Sequence, residues 1–176
     1  MTTPTRPQPV DAQALRRALG LFATGVTIVT TRDADGQALG MTANSFSSVS
    51  LDPPIVLWSI RKASNAHAAF AEAEHFAINV LGAEQSAVAN RYASRDQERF
   101  RDEAWRDGVG AVPVLDDALA SFECRRIACV DMGDHSVIFG AVEAARTATD
   151  SAPLVFYRGR YARACGDLAA QCEMAA

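Results

Sequence analysis

A chain of 176 residues fits one domain, long enough to bury roughly two-thirds of its unfolded surface in a single core. Its 49% hydrophobic and 22% charged residues are those of a globular protein, and a net charge of -4 argues against a nucleic-acid partner, which requires a basic face. No apolar run approaches the roughly 20 residues that span a bilayer, so a membrane-spanning helix is excluded.

The Pro- and Thr-rich start, residues 1–10, lacks the apolar stretch of a secretory signal and reads as a mobile arm. Four cysteines (Cys124, Cys129, Cys165, Cys172) are too scattered for a disulfide scaffold. A cytoplasmic location with reduced thiols is the expectation.

In chain order, Asp11–Phe22 is predicted helical, with Asp11 as N-cap and Gly25 ending it. Val26–Thr31 is a β-branched strand, Asp33-Ala34-Asp35-Gly36 a turn, and the returning arm runs from Gln37 toward Val49. Pro53-Pro54 breaks it before the apolar strand Ile55–Ile60. Ser64–Glu74 reads as a helix capped by Ser64 or Asn65, Phe76–Leu81 as a strand and Ala83–Tyr92 as a helix. Ser94–Asp107 is a charged, solvated loop with helical turns. Leu119–Val130 and Ser136–Arg146 form strands across a Gly133-Asp134 turn, and Pro153–Tyr161 is a last strand. Residues 163–176 form a tail without pattern. Six or seven strands with two or three short helices, not alternating regularly, predict a mainly β fold: an antiparallel barrel with helices at its ends, one domain over residues 11–162.

Three segments carry chemistry. Gly40 to Pro54 is unusually rich in small hydroxyl and amide side chains (Thr42, Asn44, Ser45, Ser47, Ser48, Ser50). It reads either as a polar edge strand or as the wall of a flat ligand, whose ring could approach the backbone closely. Ser59-Ile60-Arg61-Lys62-Ala63-Ser64-Asn65 sets two cations and hydroxyls before a predicted helix. It reads as a phosphate site or as a capped helix with two solvated cations. His135, straight after Gly133-Asp134, is either a turn residue or a donor at the mouth of a cleft. His67 and His75 have no evident partners and read as structural.

Other motifs fail. Gly108-Val109-Gly110 lacks the strand and helix that flank a dinucleotide fingerprint. Cys124, Cys129 and His135 lack the paired spacing of a metal site. Asp116-Asp117 resembles a helix cap, and there is no Gly-x-Ser-x-Gly nucleophile elbow.

Taken in order, several short pieces form a recognisable set: Phe22-Ala23-Thr24-Gly25-Val26; Gly40-Met41-Thr42-Ala43-Asn44-Ser45-Phe46; Ser48-Val49-Ser50-Leu51-Asp52-Pro53-Pro54; Phe76-Ala77-Ile78-Asn79-Val80-Leu81; Arg99-Phe100; Gly133-Asp134-His135; Gly140-Ala141-Val142; and Pro153-Leu154 leading to Gly159-Arg160-Tyr161. The chain resembles the short-chain flavin reductase family, whose fold is the FMN-binding split barrel, from about Leu15 to Tyr161. Tyr92-Ala93 stands where that family often has Phe-Ala.

The resemblance implies a chain that transfers a hydride from NADH or NADPH to FMN or FAD and supplies reduced flavin to a partner monooxygenase or halogenase, commonly as a homodimer. It places Thr42, Ala43, Asn44 and Ser45 along the isoalloxazine ring, continued by Ser48, Val49 and Ser50 with Ser59 and Arg61 nearby. Lys62, Ser64 and Asn65 would take the flavin phosphate, and Ala93, Ser94 and Phe100 would approach from the helical insert. His135 would be the nicotinamide-side histidine, the one residue with a catalytic role, with Tyr157, Gly159 and Tyr161 lining its cleft. The alternatives are a flavin-storage module without turnover and a split barrel acting only as a dimeric interaction domain.

Overall fold

The structure, a computed structural model, describes residues 10–94, 100–148 and 151–164. Most of the predicted arm and tail lies outside them, as do residues 95–99 of the charged segment, Cys165 and Cys172.

Helix α1 (Ala12–Leu19) starts as predicted: Asp11 Oδ2 accepts from the Ala14 amide at 2.8 Å. It stops at Gly20, earlier than predicted, and Gly25 belongs instead to the two-residue strand β1 (Thr24–Gly25). None of its residues is buried, because it stands clear of the barrel. Strand β2 (Thr27–Arg32) then turns at residues 33–36 into β3 (Ala38–Ala43).

The predicted returning arm is two strands, β3 and β4 (Ser47–Leu51), followed by β5 (Pro54–Arg61). Next come α2 (His67–Glu72), β6 (His75–Val80) and α3 (Ser86–Ala93). The charged segment ends in an unpredicted hairpin, β7 (Trp105–Asp107) with β8 (Pro113–Leu115), around a 3-10 turn at Val109–Ala111. Asp116 follows β8 into a turn, so no helix is capped there. The long strands β9 (Ala120–Met132) and β10 (His135–Thr147) pair across Gly133-Asp134. The last predicted strand is a hairpin, β11 (Leu154–Tyr157) and β12 (Arg160–Arg163), whose turn residues Arg158 and Gly159 have φ of 50° and 77°. The described residues thus form twelve strands rather than six or seven: two predicted arms each hide a turn, and β1, β7 and β8 arise where no strand is predicted.

Seven strands form one antiparallel sheet in the order β3-β2-β6-β9-β10-β5-β4. Its two edges are consecutive in the chain. Ala43 ends β3 and Ser47 begins β4, and four peptide units reach at most about 14 Å. The edges therefore lie side by side and the sheet curls into a barrel, split where Asn44–Phe46 crosses. Trp58, Ile60, Phe70, Phe76, Ile78 and Ile138 fill it. A Cβ on Gly140 would lie 2.5 Å from the Phe76 ring, so glycine at that point lets the ring reach the centre.

A second cluster, with Ile28, Leu81, Tyr92, Leu115 and Leu154, lies under α3. Strand β2 consequently serves two cores and is buried along nearly its whole length. That burial is possible because its polar side chains are paired: Thr27 Oγ1 donates to Ala43 O at 2.8 Å, and Thr31 Oγ1 to His75 O at 2.8 Å. Buried Glu123 is held likewise by Arg106 Nη2 at 2.7 Å and the Val109 amide at 2.8 Å. Burial opposes its charge, but these two donors win and keep its carboxyl below the ordinary range.

Candidate active site

The register of β5 and β10 places the predicted residues on faces. Arg61 pairs with His135, Ser59 with Val137, and Leu57 with Phe139. Directly paired residues point to the same face and alternate residues to the other. Arg61, Ser59 and His135 therefore share the outer face, while Ile60 and Ser136 point inward and are fully buried. Ser47, paired with Leu57, joins the outer face. A register shift between Ser48 and Ser50 marks a bulge at Val49, which turns Ser50 back to that face. Neither Ser47's position nor the bulge was legible in the sequence, because both depend on pairing register.

The crossing segment attaches to this face through Ser45. Its hydroxyl donates to Ser59 O at 3.0 Å and accepts from the Ser59 amide at 2.9 Å. Thr42 points the other way, its hydroxyl donating to Ala89 O of α3 at 2.6 Å. Ala43 lies in the barrel core. The hydroxyls of Thr42 and Ser45 are thus already bonded, leaving exposed Asn44 and the backbone at the end of the ladder to meet a ligand. Ser48, paired with inward-facing Val56, points to the opposite face from Ser47, although it is exposed at the sheet edge; Val49 is exposed and Ser50 half-buried.

At the rim, His135 Nδ1 meets Asp134 Oδ1 at 2.8 Å, and its side chain is 39% exposed. The imidazole holds the Asp134 carboxyl below the usual carboxylate range. Arg61 is exposed beside it. Lys62 Nζ lies 3.1 Å from Asp131 Oδ2, and the Lys62 amide donates to Asp134 O at 3.0 Å.

The turn that follows is not the predicted cap. Ala66 precedes α2 with no side-chain cap, and Ser64 Oγ accepts from the Ala66 amide at 3.3 Å. A six-residue helix offers no strong N-terminal anion site, so the case for a phosphate there rests on Lys62, Ser64 and exposed Asn65 themselves. His67 does have a partner: its Nε2 lies 2.8 Å from Ser136 Oγ, which donates to Asp131 Oδ1 at 2.7 Å. Residues 62, 67, 131 and 136 are too far apart in sequence for any motif to join them.

Ala93 and Ser94 are exposed at the end of α3, where the Ser94 hydroxyl donates to Arg91 O at 2.7 Å. Phe100 packs edge-on to Tyr92 and Trp105, at centroid distances of 5.4 and 4.9 Å. A Cβ on Gly40 would lie 2.8 Å from the Tyr92 ring and 3.2 Å from Phe100, so this glycine seats the aromatic insert on β3.

Tyr157, Gly159 and Tyr161 stand apart, in the separate sheet β1-β11-β12. Tyr161 packs on Phe156 at 5.7 Å, and Arg158 lies over the Tyr157 ring at 5.2 Å. No hydrogen bond or ion pair joins this trio to His135 among the described residues. Gly159 instead borders an open cavity of about 400 Å³ with Arg16, Arg17, Gly20, Leu21 and Arg158.

The outer face suits a flat, polar-edged ring with an anionic tail: small side chains at Ser47, Ser50 and Ser59, and cations at one end. No acid–base triad is needed for chemistry between two stacked rings, where positioning does most of the work.

Comparison with known proteins identifies the family. A flavin reductase like domain model matches residues 19–164. The chain is 48% identical over 153 residues to FMN reductase (NADH) SmoA of Agrobacterium fabrum, covering 87% of this chain and 86% of that protein. It is 47% identical to the reductase component of the flavin-dependent trigonelline monooxygenase of Acinetobacter baylyi, covering 84% of this chain but only 47% of that longer protein. Among solved structures, the NADH:FAD oxidoreductase SgcE6 of Streptomyces globisporus, in complex with NAD and FAD fragments, superposes with a TM-score of 0.84 at 34% identity, covering 92% of this chain and 99% of that one. The chain belongs to the flavin reductase like domain family.

Proposed function

We propose that this chain is an NAD(P)H:flavin oxidoreductase, with residues 11–162 as its reductase domain, that reduces FMN or FAD for a separate flavin-dependent monooxygenase or halogenase. The observation that carries the reading is its likeness, over nearly the whole of both chains, to an oxidoreductase whose structure holds NAD and FAD fragments. The likeness to an FMN reductase (NADH) over most of both chains supports it, as does the similarity to a monooxygenase reductase component.

The two bound rings supply the redox chemistry, a hydride passing from nicotinamide to flavin. The chain's own groups do the rest. Backbone N–H groups at Ala43–Ser45 meet the ring's polar edge and favour charge developing there. The Ser45–Ser59 pair holds that backbone still, and Ser48, Val49 and Ser50 extend the wall. Lys62, Ser64 and Asn65 hold the phosphate, with Arg61 beside them. His135, oriented by Asp134, donates to the nicotinamide side. Ala93, Ser94 and Phe100 border the ring from the insert.

Tyr157, Gly159 and Tyr161 complete a nicotinamide cleft in a homodimer. Exposed apolar side chains at Leu19, Leu21 and Phe22, the last 76% exposed, support burial by a second copy. Among the described residues no helix is long and apolar enough to cross a membrane, and the chain acts in the cytoplasm, where the hydride donor is found.

The test is steady-state oxidation of NADH and NADPH with and without added FMN or FAD. Flavin-dependent loss of the reduced nicotinamide is expected. Tight flavin binding without turnover would favour a storage protein. A monomer at micromolar concentration in sedimentation would remove the homodimer.

A further inference from the structure

We propose that Asp131, Ser136 and His67 form a positioning relay that presents Lys62, and the turn of residues 62–66, to a phosphoryl group of the flavin. The inference rests on the flavin reading above and assigns three residues that it leaves without a role.

Proton inventory sets the direction of the chain. A carboxylate only accepts, so the single proton of the Ser136 hydroxyl goes to Asp131 Oδ1, 2.7 Å away. The hydroxyl oxygen must then accept from His67, so the proton sits on Nε2, 2.8 Å away. The other carboxylate oxygen, Asp131 Oδ2, receives Lys62 Nζ at 3.1 Å. The Ser136 hydroxyl and the Lys62 ammonium together hold the Asp131 carboxyl below its usual range, so it stays charged where the relay needs it.

Ser136 is fully buried in β10, where a hydroxyl is tolerated only when its bonds are made. Both of its bonds are made, one to the β9 end and one to α2. The relay therefore fastens α2 to the β9–β10 hairpin just inside His135. The same turn is clamped by backbone bonds, Lys62 N to Asp134 O at 3.0 Å, Ser64 N to Arg61 O at 2.9 Å and His67 N to Ser64 O at 3.0 Å. An ammonium has three donors and Asp131 takes one, so Lys62 is aimed but not exhausted. One carboxylate thus orients the phosphate-side lysine, while its neighbour Asp134 orients the nicotinamide-side histidine.

The test compares FMN with riboflavin, which carries the same ring and no phosphate. Dissociation constants for both are measured on the full chain and on Ser136→Ala, Asp131→Asn, His67→Ala and His67→Gln. The relay predicts that the unmodified chain prefers FMN. It predicts that Ser136→Ala and His67→Ala shrink that preference about tenfold, the worth of one charge-assisted hydrogen bond. His67→Gln, whose amide can donate to the Ser136 hydroxyl, should keep most of it. Asp131→Asn changes an exposed carboxylate and leaves the core intact, so its equal loss of preference would support the relay even if Ser136→Ala misfolds. Variants that weaken FMN and riboflavin equally, or neither, would overturn the relay while leaving the flavin site standing. Equal affinity of the unmodified chain for both flavins would overturn Lys62 as a phosphate ligand and the relay with it. Failure to bind either flavin would overturn the flavin reading itself.

Discussion

The end of β3 with the crossing that follows it, Thr42–Ser45, and the rim at Arg61, Lys62, Asp134 and His135 both carry polar groups, but their polar atoms are committed differently. In the crossing, the hydroxyls of Thr42 and Ser45 are bonded to the protein's own backbone, at Ala89 and Ser59. At the rim, Lys62 is paired with Asp131 and Asp134 with His135, and the Arg61, Lys62 and Asp134 side chains are exposed. A hydroxyl-rich stretch is therefore not a set of ligand hydroxyls. It is a device for holding backbone still, and in the proposed site that backbone faces the ligand. The rim is built the opposite way, with exposed side chains and a backbone brace from the Lys62 amide to Asp134 O.

Substitution at the rim should act on turnover and substitution in the crossing on stability. The largest effect is expected from His135→Ala: a fall of about 10- to 100-fold in kcat/KM for the nicotinamide substrate, the cost of leaving a polar group without its hydrogen-bond partner, with the melting temperature little changed. If kcat and KM are both untouched, His135 has no such role. Ser45→Ala should do the reverse. It strips the Ser59 amide and carbonyl of their partner and costs about 1–3 kcal/mol of stability, read as a fall of several degrees in Tm. A Ser45→Ala chain as stable as the original would mean the crossing is not held this way.

The smallest effect separates the two regions by pH. Asp131 is held low by the Ser136 hydroxyl and Lys62, and Asp134 by His135. A carboxyl whose folded pKa is depressed stabilises the fold above its unfolded value, about 3.9, and loses that contribution as pH falls through the folded value. Acidification from about pH 5 should therefore loosen the rim first, whereas the crossing's hydroxyls do not titrate. Carboxyl NMR titration with amide exchange reads both, and carboxyls titrating at or above the ordinary value would contradict the ion pairs.

Local signals in the sequence reported local structure well. Asp11 caps α1, the apolar run Ile55–Ile60 is a strand, and Gly133-Asp134 is the β9–β10 turn. What stayed hidden depends on contacts between distant residues. Nothing in Gln37–Val49 shows that its two halves pair at opposite edges of one sheet, since both halves are extended and their partners, β2 and β5, lie elsewhere in the chain. The turn at Arg158-Gly159 is hidden because only its second residue is glycine. The predicted anion site kept its cations and lost its helix cap, because Ser64 bonds within the turn instead of starting α2. His67 looked partnerless because its partner lies 69 residues away on β10.

The most direct test of the division between crossing and rim is a crystal structure of the chain with FMN bound. The ring should lie against the backbone of residues 42–45, with its phosphate at Lys62. A flavin seated instead in the cavity between Arg16, Arg17 and Arg158 would contradict it.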